Sequence, residues 1–128
     1  MITRQFLLAL ALIESGNKDV PGDGGLAQGP FQIHPVMVKE VNRILRYPVF
    51  NLRDRHDYEA SRYMAMTYLH YWSNHLRRKH GWEFSHADLA ALWRWGPTQY
   101  RPGCATKTRL DVQRTRKLQT MMKQHLKK

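Results

Sequence analysis

The sequence predicts a mainly α chain. An almost unbroken apolar run from Phe6 to Ile13 follows a capping Thr3, and later apolar residues recur at helical spacing between glycine and proline stops. Strand-type alternation is confined to the stretch from Ala27 to Ile33. With 128 residues, 42% hydrophobic and 11% aromatic, the chain fits one domain over 1–128 that can bury a core without disulfides or metals.

Thr3 caps a helix running to about Ser15, apolar on nearly every face and therefore expected to be buried. Residues 16–29 hold five of the eight glycines, with Asn17, Asp19, Asp23 and Pro21, which is loop chemistry with room for a short β-hairpin. Pro35 belongs in the first turn of a second helix, with Val38, Val41, Ile44 and Leu45 inward and an end before Pro48. Asp54 or His56 opens a third helix to about Lys79, with Ala60, Met64, Thr67 or Tyr68, and Tyr71 or Trp72 inward; Gly81 stops it. Ser85 to Asp88 reads as a capping box for a short helix ending at Gly96-Pro97. A last helix from about Thr106 to His125 turns Leu110, Leu118, Met121 and Met122 inward and its cations outward.

The 21 Lys+Arg against 10 Asp+Glu give a net charge of +11. From Arg101 onward there are nine basic residues and one acid, Asp111. Such a field attracts polyanions: nucleic acid, anionic lipid or wall polymers. No nucleic-acid recognition pattern accompanies it, so no specific nucleic-acid partner is expected. Cys104, the only cysteine, can form no internal disulfide. His70, His75 and His80 are spaced so that each turns about 140° from the last on a helix, and no metal or cofactor is expected. Met1 to Ile13 imitates a secretory signal but lacks a small-residue cleavage site, and no run is long enough to span a bilayer.

Glu14 ends the apolar run and precedes Ser15-Gly16. Burial against apolar neighbours raises a carboxyl pKa, which suits a general acid near neutral pH. Glu14-Ser15-Gly16, then the glycine loop, then Gly29-Pro30-Phe31-Gln32-Ile33-His34-Pro35, and finally Ala91-Leu92-Trp93-Arg94-Trp95-Gly96-Pro97 follow in order. Together they resemble the soluble lytic transglycosylase and goose-type lysozyme group, in particular its compact phage-like members, over roughly residues 5 to 115.

That resemblance implies a lysozyme-like fold and cleavage of the glycosidic bond between N-acetylmuramic acid and N-acetylglucosamine in peptidoglycan. It implies Glu14 as catalytic acid, Ser15 as the neighbour that orients it, and Gln32 and Gly29 as substrate-binding. Asp23 resembles an aspartate that helps activate water in the hydrolytic members, while His34 stands where those enzymes carry a second aspartate and is expected at the substrate. Trp93-Arg94 replaces the family's tyrosine-asparagine pair. Trp93 is expected to support Glu14. Arg94 either points away, lowers activity, or binds a substrate carboxylate. Trp95 and Tyr100, flanking Gly96-Pro97, are expected on a cleft wall, and Trp72 in the core.

The resulting expectation is a monomeric lytic transglycosylase acting on glycan strands and anionic wall polymers. A muramidase using Asp23, or a non-catalytic binder of peptidoglycan and other polyanions on the same scaffold, are the alternatives. Delivery to the wall is expected through a phage, a virion or a secretion system.

Overall fold

Thr3 starts the first helix through its hydroxyl, which accepts the Phe6 N–H at 3.0 Å, while its carbonyl accepts the Leu7 N–H at 3.0 Å. The structure is a computed structural model and describes residues 2–126; Met1, Lys127 and Lys128 lie outside the described residues. The helices are α1 (Arg4–Ser15), α2 (Pro35–Leu45), α3 (Tyr58–His80), α4 (His86–Trp95) and α5 (Arg109–Leu126). Two short strands, β1 (Pro21–Gly22) and β2 (Ala27–Gln28), pair antiparallel with Pro21 opposite Gln28 and Gly22 opposite Ala27. The chain is mainly helical, and its hairpin falls inside the glycine loop. No helix among the described residues is long and apolar enough to cross a membrane.

The chain forms two units, one of residues Leu10–Tyr68 and the other of the residues up to Ala9 and from Leu69 on. Both boundaries fall within helices, α1 and α3, which therefore serve both units.

In the Leu10–Tyr68 unit, α1 stops where Gly16 (φ 71°) and Asn17 (φ 58°) turn left-handed and return their N–H groups to the carbonyls of Leu12 and Ala11. Pro35 opens α2 after extended His34, and Arg46 (φ 59°) closes it before Pro48. Val38 and Val41 are buried, whereas Ile44 and Leu45 are only half-buried. The Asn42 side chain clamps both backbone groups of Phe50, at 2.8 and 3.0 Å. Across from α2, burial and then the charge of Glu40 push the Tyr68 phenol up to about 12.

The start of α3 lies later than the sequence suggests. Asp54 is taken by a capping box with Asn51 that opens a short 3-10 turn, Leu52–His56, and Asp57 then caps α3 by accepting the Ala60 N–H at 2.8 Å. Met64 and Tyr68 are buried as expected, joined by Ser61 and Ala65; Ala60, Tyr71 and Trp72 are half-buried.

In the other unit, Phe6 stacks on His86 with ring centroids 5.1 Å apart. The capping box of Ser85 and Asp88 opens α4, and Gly96 ends it. α4 packs on α5 and on the 3-10 turn Cys104–Thr106. That turn takes up Thr106, so Thr108 becomes the cap of α5, its hydroxyl accepting the Asp111 N–H at 3.1 Å. Leu110 is 48% exposed instead of inward; Asp111, seven and eleven positions before Leu118 and Met122, shares their face and takes the buried position. Leu118 and Met122 are buried, and Met121 half-buried.

Candidate functional site

Glu14 sits half-buried in the last turn of α1. One residue on, the Ser15 hydroxyl donates to the Pro30 carbonyl at 2.7 Å, leans on the Ala11 carbonyl at 3.3 Å, and accepts the Lys18 N–H at 3.0 Å. The end of α1 is thereby fastened to the turn Gly29-Pro30-Phe31-Gln32. That turn closes with the Gln32 N–H on the Gly29 carbonyl at 3.0 Å and is clasped by two hydrogen bonds between Gln28 and Ile33. Two of the three sequence motifs, separated by the whole glycine loop, therefore meet.

Gln32 holds a left-handed backbone (φ 55°) and uses its side-chain amide inside the loop. Nε2 donates to the carbonyls of Val20 at 2.8 Å and Gly29 at 3.0 Å. Its donors are committed to backbone, so the expected grip on substrate falls to Oε1 alone. That oxygen lies over Gly22, where an added Cβ would meet it at 1.9 Å. Gly29 is buried at φ 83°, and a Cβ there would stand 1.8 Å from the Arg55 carbonyl, so the close approach that requires glycine is to Arg55 and not to a ligand.

Asp23 stands at φ 50° ahead of Gly24 and Gly25, both also left-handed, and its carboxylate bonds His34 Nε2 at 2.8 Å. His34 thus both precedes α2 and orients Asp23. On the far side of the loop, Asp19 bonds His56 Nδ1 at 2.6 Å.

Arg55 escaped sequence reasoning. It is only 8% exposed, and its guanidinium donates to the carbonyls of Leu52 (3.0 Å), Leu26 (3.0 Å) and Ile33 (3.1 Å). A buried cation tying three backbone oxygens fixes the shape of the loop and offsets part of its own desolvation. Nothing in the sequence marks it: Arg55 lies 26 positions after Gly29, in a charged segment with Arg53, Asp54 and His56.

Trp93, Arg94, Trp95 and Tyr100 belong to the other unit. Trp93 is buried in α4 at 6% exposure. Arg94 Nε donates to Asp111 Oδ1 at 2.7 Å, and Trp95 Nε1 donates to the same oxygen at 3.2 Å. Thr108 supplies Oδ2 with its N–H at 3.1 Å and its hydroxyl at 2.7 Å. Burial by itself pushes the Asp111 carboxyl up, but the hydrogen bonds from Thr108, Arg94 and Trp95 outweigh it and hold the group below the ordinary aspartate range. The Arg94 charge is thus compensated within its own unit. Asp111, the lone acid of the basic tail, was the partner that the sequence did not reveal.

The aromatic pair is corrected in part. Tyr100 is 1% exposed, packed on Phe84 at 5.3 Å and edge-on to Trp82 at 5.9 Å, so its ring walls no cleft. Burial, then the charges of Asp88 and Cys104, push its phenol far above the usual value. Trp95 stays half-buried with the cations of Arg94 and Lys107 over its ring at 5.2 and 4.9 Å.

No family model, curated protein or solved structure matches the chain. What the site can do therefore rests on its own residues: a half-buried carboxylic acid at a helix end, fastened to a rigid glycine-rich loop that carries a second carboxylate hydrogen-bonded to an imidazole. Acid–base chemistry is within the reach of that set.

Proposed function

We propose that the protein is a peptidoglycan-cleaving lytic transglycosylase on a lysozyme-like scaffold, with Glu14 as its general acid and base. The observation that carries this reading is the 2.7 Å hydrogen bond from Ser15 to Pro30, which holds the Glu14 end of α1 against the Gly29–Gln32 turn. The resemblance in sequence requires these two motifs side by side.

Glu14 gives its proton to the glycosidic oxygen as the bond from that oxygen to the muramyl C1 breaks. An alkoxide is a poor leaving group, so the proton must arrive with cleavage. The resulting carboxylate takes the proton of the muramyl C6 hydroxyl, whose oxygen closes on C1 as an anhydro ring. The same carboxyl begins and ends protonated, and no water is consumed. On this reading the protein acts at the bacterial wall, and its +11 charge raises the local concentration of anionic stem peptides and wall polymers.

The Asp23–His34 hydrogen bond favours a second reading, a muramidase. There the exposed Asp23 carboxylate, oriented by His34 at 2.8 Å, would take a proton from the attacking water. Mass spectrometry of fragments from purified peptidoglycan separates the two. Anhydro-muramyl ends are expected; ends that have gained a water would establish the muramidase, and binding with no fragments would establish a non-catalytic wall binder.

A further inference from the structure

The unit that contains the residues from Leu69 on carries an open cleft of about 500 Å³ at the end of α3. Trp72, His75, Lys79, His80, Trp82 and Arg101 line it, and no acidic residue is among the described lining residues. We propose that this cleft binds a sugar ring bearing an anionic substituent. The proposal is independent of the Glu14 chemistry, since it needs no bond to be cut.

The volume falls within the range of small-molecule sites, roughly 300–1,000 Å³. Its indoles are held in place by their neighbours. Trp72 meets Tyr71 and His75 at 85° and 80°, with centroids 5.1 and 5.3 Å away. Trp82 has His80 stacked on it at 4.1 Å and Tyr100 against it at 62°. Both indoles are half-buried, so each offers apolar surface already ordered before a ligand arrives, which lowers the entropic cost of binding. His80 already occupies one face of Trp82. A pyranose needs only a single platform for its C–H face. Imidazoles at His75 and His80 can donate to or accept from its hydroxyls.

Charge selects the anion. Arg101 is fixed by two hydrogen bonds from Nη1, to the carbonyls of Thr98 at 3.1 Å and Tyr100 at 2.7 Å, which orients the guanidinium in advance. Lys79 adds a second full charge from the last turn of α3. The carbonyl end of that helix opposes an anion, but with only about half a unit charge, so two cations outweigh it. A carboxylate and a phosphate share this chemistry, and both occur on acidic glycans.

The test follows the indole N–H signals of Trp72 and Trp82 by NMR in the full chain during titration with glucuronic acid, a hexose phosphate, glucose, inorganic phosphate and adenosine monophosphate. Saturable shifts are expected with one or both charged sugars, and glucose should bind about tenfold more weakly. The tighter of the two charged sugars identifies carboxylate or phosphate as the anionic group. Lys79 is exposed, so Lys79→Gln should keep the fold; it should weaken the charged sugars about threefold or more and leave glucose unchanged. No saturable shift with either charged sugar would overturn the proposal. So would equal binding of glucose, equal binding of phosphate alone, or tighter binding of the nucleotide. A chain that cuts no peptidoglycan can still pass this test, so its failure and that of the transglycosylase reading are separable.

Discussion

The Ser15 hydroxyl and the Pro30 carbonyl, fifteen positions apart in sequence, stand 2.7 Å apart in the fold. This one hydrogen bond joins the helix that ends in Glu14 to the turn that contains Gln32. Ser15→Ala removes it and should cost about 1 kcal/mol of stability. The larger effect should be on cutting, about tenfold, because a turn displaced by a fraction of an ångström shifts Gln32 relative to Glu14. Thermal unfolding and the clearing of a peptidoglycan suspension, measured on the same preparation, check both; an unchanged rate would remove Ser15 from the positioning role.

Two glycines of the loop should respond very differently to alanine. At Gly29 the new Cβ would meet the Arg55 backbone at 1.8 Å with φ at 83°, so about 3 kcal/mol or more should be lost. At Gly22 the clash is with the end of the Gln32 side chain, which can swing aside, so about 1 kcal/mol is expected. Chemical denaturation of the two variants measures the contrast. Equal losses would mean that the Gln32 amide is held as firmly as backbone.

Asp111 gives a pH prediction with a definite sign. Its carboxyl is depressed in the folded state below the reference value of 3.8, so its contribution to stability is present above that value and is lost as pH falls through the folded one. Asp111→Asn should therefore be less stable than wild type at neutral pH, and the difference should shrink progressively once the pH falls below the reference value of 3.8. Melting temperatures of both proteins across that range provide the check; a gap that stays constant into acid would contradict the assignment.

Asp23 separates the two chemistries. If Glu14 does all the proton work, Asp23→Asn should retain anhydro products and lose no more than about threefold in rate. A collapse of activity, with ends that had gained water in the wild type, would transfer the second step to the Asp23–His34 pair.

Most helix limits were legible because local chemistry sets them: Thr3, Pro35, the capping box at Ser85 and the stop at Gly96 all act within a few residues of themselves. The starts of α3 and α5 were misplaced because each has a short 3-10 turn before it that consumes the nearest capping residue. Within the candidate site, Glu14, Ser15 and Gln32 could be singled out from order and spacing. Arg55 and Asp111 could not, since their importance comes from burial among partners distant in sequence, carbonyls of Leu26 and Ile33 for one and Arg94 for the other. Tyr100 differs for the same reason: its neighbours Gly96-Pro97 suggest a surface turn, while its ring packs inward on Phe84.

The most direct measurement compares wild type with Glu14→Gln on purified peptidoglycan, following soluble fragments by mass spectrometry after confirming that both proteins unfold at the same temperature. Glutamine keeps the shape and hydrogen-bonding reach of the side chain but cannot give up a proton in this way. We expect anhydro-muramyl fragments from the wild type and a rate at least about a hundredfold lower from the variant. Fragments released by Glu14→Gln at the wild-type rate would contradict the assignment of Glu14 as the acid.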